Sequence, residues 1–113
     1  MDTKTILVVD DEISIREMIA SLLELASYKV LQAENAKDAH SLVIDQMPDL
    51  IILDWMMPVT SGVELMRRLK RDELTKNIPI IMLTAKVAED NMIQGLESGA
   101  DDYISKPFSP KTL

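Results

Sequence analysis

Hydrophobic residues along this chain fall into short strand-length runs, and between them lie segments with helical spacing. The strand-like runs are Ile6–Val9, Tyr28–Ala33, Leu50–Leu53, Ile80–Leu83 and Asp102–Ser105. Between the first two, Ile15, Met18, Ile19, Leu22 and Leu23 recur at the period of an amphipathic helix, predicted over Ser14 to Ser27. Ser14 is its expected N-cap, with Glu17 three residues on. Asn35 caps a second helix to Gln46, and a third runs from Ser61 to Lys70 with Val63, Leu65, Met66 and Leu69 apolar. A fourth, Asp90 to Ser98, closes at Gly99. Ser109-Pro110 has the form of an N-cap followed by proline at the first helical position, so a fifth helix starts and is truncated at Leu113. Regular alternation of strand and helix predicts a single α/β domain with a parallel sheet.

The polar residues that end these runs carry the chemistry. Asp10 and Asp11 follow the first strand, Asp54 ends the third, Thr84 ends the fourth, and the fifth leads to Lys106. In an open parallel sheet, ligands bind beyond the carboxyl ends of the strands. An acid in that position is ordinarily a solvated loop starter, and a threonine there a good β-former. Their joint placement at consecutive strand ends predicts a site of clustered acids with one lysine and one threonine. Crowded carboxylates repel and need a counter-ion. All-oxygen ligation suits Mg²⁺, which takes one or two carboxylates and often completes its shell with phosphate. An aspartate can then act as the nucleophile toward phosphorus. Lys106 and Thr84 would share the remaining phosphoryl oxygens.

Composition narrows the setting. The 113 residues suffice for one core and hold no cysteine, which excludes disulfides and thiolate metal sites and fits a reducing compartment. No apolar stretch approaches a membrane span, and the start lacks a signal-peptide pattern, so a cytoplasmic location is expected. The net charge of -7 argues against nucleic-acid binding by this segment. Arg67-Arg68 and Lys70-Arg71 then read as a solvated helix face, and His40 as a polar helix position.

Specific words accompany these positions. Val9-Asp10-Asp11-Glu12, Leu53-Asp54-Trp55-Met56-Met57-Pro58 with Gly62, Met82-Leu83-Thr84-Ala85 and Gly99-Ala100-Asp101-Asp102-Tyr103 before Lys106-Pro107-Phe108 occur in order over essentially the whole chain. Together they resemble the response-regulator receiver domains of two-component signalling, most closely the OmpR/PhoB subfamily. The resemblance implies a flavodoxin-like (CheY-like), doubly wound five-stranded sheet in the order 2-1-3-4-5. It implies that Asp54 is the phosphoacceptor for a sensor histidine kinase, and that Asp10, Asp11 and Asp54 with the Met56 backbone carbonyl bind Mg²⁺. Lys106 matches the phosphate-pairing lysine, its bond to Pro107 resembles one that is cis in the family, and Thr84 and Tyr103 match the switch pair. Such a domain phosphorylates and slowly dephosphorylates itself but turns over no external substrate.

In that subfamily a homodimer forms on phosphorylation through the fourth helix, fifth strand and fifth helix. Ile93 and Leu96 match its apolar centre, with Glu97, Asp101 and Asp102 on its acidic rim. Met92 departs from the usual basic residue. DNA is bound by a winged-helix output domain, expected in the parent protein and absent from these residues. Two other classes are weighed against this. Haloacid-dehalogenase-like phosphatases need a second acid where Met56 stands, and a degenerate receiver would have no chemical reason to keep Asp10, Asp11, Asp54, Thr84 and Lys106 together.

Overall fold

A computed structural model of the chain describes residues 3–54, 62–84 and 102–105, with Thr84 and 102–105 described through their backbone. The elements are β1 (Thr5–Val9), α1 (Ile13–Leu25), β2 (Lys29–Ala33), α2 (Ala36–Gln46), β3 (Leu50–Asp54), α3 (Gly62–Arg71), β4 (Ile80–Thr84) and β5 (Asp102–Ser105). The strands pair in parallel in the order β2-β1-β3-β4-β5, the β5 backbone joining β4 through a register that ends at Thr84 and Ser105. The expected strand order is therefore observed, and it reverses direction between β1 and β3. In open α/β sheets that reversal is where ligand crevices form.

Central strands read as unbroken apolar runs because helices cover both sheet faces. Leu7, Val9, Ile51, Leu53, Ile80 and Met82 point to one side, where they pack with Ala36, Ala39 and Val43 of α2 and Leu65, Met66 and Leu69 of α3. Ile6, Val8, Ile52 and Leu83 point to the other, against Ile19 and Leu23 of α1. β2 is an edge strand and its burial is correspondingly lower.

Two helix-level expectations are corrected. Ser14 is not an N-cap: α1 begins at Ile13, and its N-cap residue is Glu12, which makes no side-chain cap. The reason lies in the preceding turn. The Glu12 amide donates to the Asp10 carboxylate at 2.9 Å, and the Glu12 carbonyl accepts from the Arg16 amide at 3.0 Å. That closes the first turn ahead of Ser14, which is exposed. Met18 is 45% exposed and is not part of the buried stripe, which runs through Ile19, Ala20 and Leu23. Asn35, by contrast, caps α2 as expected, its side-chain oxygen accepting from the Asp38 amide at 2.8 Å. The expected fourth helix, the start of a fifth and the Lys106–Pro107 bond lie outside the described residues.

Candidate functional site

Register places the acids. Val9 pairs with Leu53, so Asp10 and Asp54 are the next residues on adjacent strands. Alternation gives both the parity of Val8 and Ile52, on the α1 side of the sheet. One carboxylate oxygen from each of Asp10, Asp11 and Asp54 lies within 4.8 Å of the other two. Asp10 and Asp54 are buried and Asp11 is exposed, so the cluster has a dry floor and an open mouth.

Several contacts hold the turn that carries the first two acids. The Asp10 amide donates to the Ala33 carbonyl at 3.2 Å, tying the turn to the end of β2. Oδ1 of Asp10 accepts from the Glu12 amide, and the Asp10 carbonyl accepts from Nη1 of Arg16 at 2.8 Å. Nε of Arg16 donates in turn to Oε1 of Gln32 at 3.2 Å. The Asp54 position is set from the other side, where it pairs with Leu83 of β4, one residue before Thr84.

The donor set decides what can bind. Three carboxylates with no imidazole or thiolate among them form a hard, anionic oxygen site, which fits a small divalent cation such as Mg²⁺ and not a soft metal. Two of the three are withdrawn from water, so their mutual repulsion is larger than at a surface.

Residues 6–113 match the family model for the response regulator receiver domain. The chain belongs to the receiver domain family. It is 70% identical to the phosphate regulon transcriptional regulatory protein PhoB of Pseudomonas aeruginosa over 97% of its length, and 48% identical to PhoB of Escherichia coli over the same share. It covers 48% of each, so the chain spans about half the length of the curated relatives it matches. Among solved structures, the chemotaxis protein CheY4 of Vibrio cholerae superposes with a TM-score of 0.93 at 34% identity, covering 98% of this chain and 92% of that one. The fold is thus the CheY-like receiver fold, and the domain is a PhoB-like signalling module rather than a catalytic enzyme. Receivers use Mg²⁺ at an acidic pocket, and the acidic cluster of this receiver is of that kind.

Of the residues singled out from sequence, the structure brings Asp10, Asp11 and Asp54 together and puts the Thr84 backbone at the same rim. The side chains of Thr84, Asp102 and Tyr103 lie outside the described residues, as do Met56, Ile93, Leu96, Glu97, Asp101 and Lys106. Sequence reasoning missed Arg16. The sequence shows only a cation one helical turn into α1, and its partners, the Asp10 carbonyl and the Gln32 side chain, form no local pattern. Lys70 also departs from the expected solvated face, being half-buried and donating through Nζ to the Ile78 carbonyl at 3.0 Å. Arg67, Arg68 and Arg71 are exposed as expected. No described helix is long and apolar enough to cross a membrane.

Proposed function

We propose that this receiver accepts a phosphoryl group on Asp54 from the phosphohistidine of a sensor histidine kinase and thereby controls a transcriptional output domain. The convergence of Asp10, Asp11 and Asp54 carries the reading. Asp10, Asp11 and Asp54, with the Met56 carbonyl, would hold Mg²⁺. When bound, the ion supplies charge neutralisation for the phosphoryl oxygens. A carboxylate oxygen of Asp54 attacks phosphorus in line, the P–N bond to the kinase histidine breaks as the P–O bond forms, and the imidazole leaves with its electron pair. The Lys106 ammonium pairs with one phosphoryl oxygen and the Thr84 hydroxyl donates to another.

The switch follows from that charge. Thr84 moves toward the phosphoryl group, and Tyr103 turns into the space released, giving a two-state element biased by a local event. The active state dimerises through the fourth helix, fifth strand and fifth helix. By resemblance to the subfamily, Ile93 and Leu96 would supply the apolar centre of that face, and Glu97, Asp101 and Asp102 its acidic rim. DNA is contacted by the C-terminal output domain of the parent protein, and the whole operates in the cytoplasm.

The test is direct. Incubated with Mg²⁺ and acetyl phosphate, the wild-type chain gains the mass of one phosphoryl group by intact mass spectrometry, and the Asp54→Ala chain gains none. An equal gain in Asp54→Ala moves the acceptor elsewhere, and no gain in either removes the mechanism.

A further inference from the structure

We propose that Arg16 is a positioning residue of the acidic site, its guanidinium fork locking the Asp10–Asp11 peptide so that both carboxylates face one cation. The inference rests on the Mg²⁺ reading of Asp10, Asp11 and Asp54. Nη1 of Arg16 donates to the Asp10 carbonyl at 2.8 Å. That oxygen lies in the peptide plane shared by Asp10 and Asp11, so holding it fixes the orientation of the plane from which the Asp11 Cα and its side chain depart and narrows the directions open to them. Asp11 is exposed, and packing does not restrain it. The fork is steadied by Nε donating to Gln32 Oε1 at 3.2 Å, on the neighbouring strand β2. The Asp10 carboxylate, accepting from the Glu12 amide at 2.9 Å, closes the same turn from within.

Arginine suits this task and lysine does not. A planar guanidinium presents donors in two fixed directions, whereas an ammonium is a single point on a flexible stem. Charge and geometry also make opposite predictions here, which is what renders the role measurable. A cation beside a cation-binding site weakens metal binding by Coulomb repulsion, so removing Arg16 would tighten Mg²⁺ if charge alone counted. If the fork orients the ligands, removing it loosens Mg²⁺ despite the lost repulsion, as outer-shell substitutions do.

The experiment is calorimetric titration of Mg²⁺ into the wild-type chain, Arg16→Met, Arg16→Lys and Gln32→Ala at fixed ionic strength, with a urea midpoint for each. Arg16→Met and Arg16→Lys both raise the dissociation constant, by about tenfold, and Gln32→Ala raises it less. Amide hydrogen exchange at Glu12 quickens in the same order in metal-free protein. Arg16→Met that binds Mg²⁺ as tightly as wild type or tighter, or Arg16→Lys that restores wild-type affinity, overturns the proposal. A lowered urea midpoint with unchanged affinity makes Arg16 merely structural and overturns it too. Should Arg16→Met fail to fold, Arg16→Lys and Gln32→Ala, which keep the charge, test the geometry alone: unchanged Mg²⁺ affinity in both overturns the proposal. A wild-type chain that binds no Mg²⁺ removes the underlying site reading as well, whereas normal wild-type binding with indifferent variants removes only the role of Arg16.

Discussion

Hydrolysis of an aspartyl-phosphate needs a water held in line behind phosphorus, and the residues best placed by sequence to hold it are Met56 and Lys86. Neither a thioether nor an ammonium is a good acceptor for the proton of that water. The phosphoryl state of this receiver is therefore expected to be long-lived. Met56→Asn supplies a carboxamide and should speed dephosphorylation on the order of tenfold, about 1.4 kcal/mol in the barrier; an unchanged decay of the phosphorylated mass after removal of acetyl phosphate refutes the account. At this scale the acids were legible from sequence because a strand-ending carboxylate is a local pattern: Val9-Asp10-Asp11 and Leu53-Asp54 announce themselves. Arg16 was not, because its partners are the carbonyl of Asp10 and the side chain of Gln32, and a backbone oxygen leaves no mark in a sequence. Thr75 illustrates the same blindness, its buried hydroxyl donating to the Leu69 carbonyl at the end of α3 at 2.6 Å.

Helix starts separate into those that local chemistry decides and those that the preceding strand decides. Asn35 satisfies the Asp38 amide directly, and Asn35→Ala should lower unfolding free energy by about 1 kcal/mol. Ser14 caps nothing in the structure, so Ser14→Ala should stay within about 0.5 kcal/mol of wild type. Urea denaturation of the two variants side by side checks both, and a Ser14→Ala loss as large as that of Asn35→Ala would restore the capping box at Ser14. The strands were read almost to the residue because burial on both faces of β1 and β3 leaves no polar interruption within them. The end of α2 was read at Gln46, where it lies, whereas α1 ends at Leu25, two residues before the expected Ser27, and no glycine marks either end. Ser27 and Met47 both adopt the left-handed conformation, with φ of 73° and 45°, that glycine usually advertises. The buried face of α1 was misjudged at Met18 because Ala20, a weak hydrophobic signal, takes the inward position that a period count assigns to larger residues.

Parallel pairing makes the fold itself responsible for the repulsion at the site. Residues 10 and 54 are remote in sequence, and only the β1–β3 register brings their carboxylates side by side, with Asp10 fully buried and Asp54 nearly so. Two sources of electrostatic cost then compete to explain metal-free stability: the local knot of acids, and the net charge of -7 spread over the whole chain. Salt separates them. A distributed charge is screened over about 10 Å at 0.1 M ionic strength, whereas a buried cluster is screened much less. If the cluster dominates, sodium chloride barely moves the melting temperature of chelator-treated protein. Mg²⁺ at one hundred times its dissociation constant should add about 2.7 kcal/mol, a rise of about 10 °C for a domain of this size. Asp54→Asn removes one of the crowded charges, so it should raise the metal-free melting temperature by about 4 °C and shrink the Mg²⁺ increment. Differential scanning calorimetry of the two proteins with chelator, with sodium chloride and with Mg²⁺ reads all of these shifts. A sodium chloride effect equal to that of Mg²⁺ would assign the cost to net charge, and an Asp54→Asn chain less stable than wild type without metal would mean that the contacts of Asp54 outweigh its repulsion.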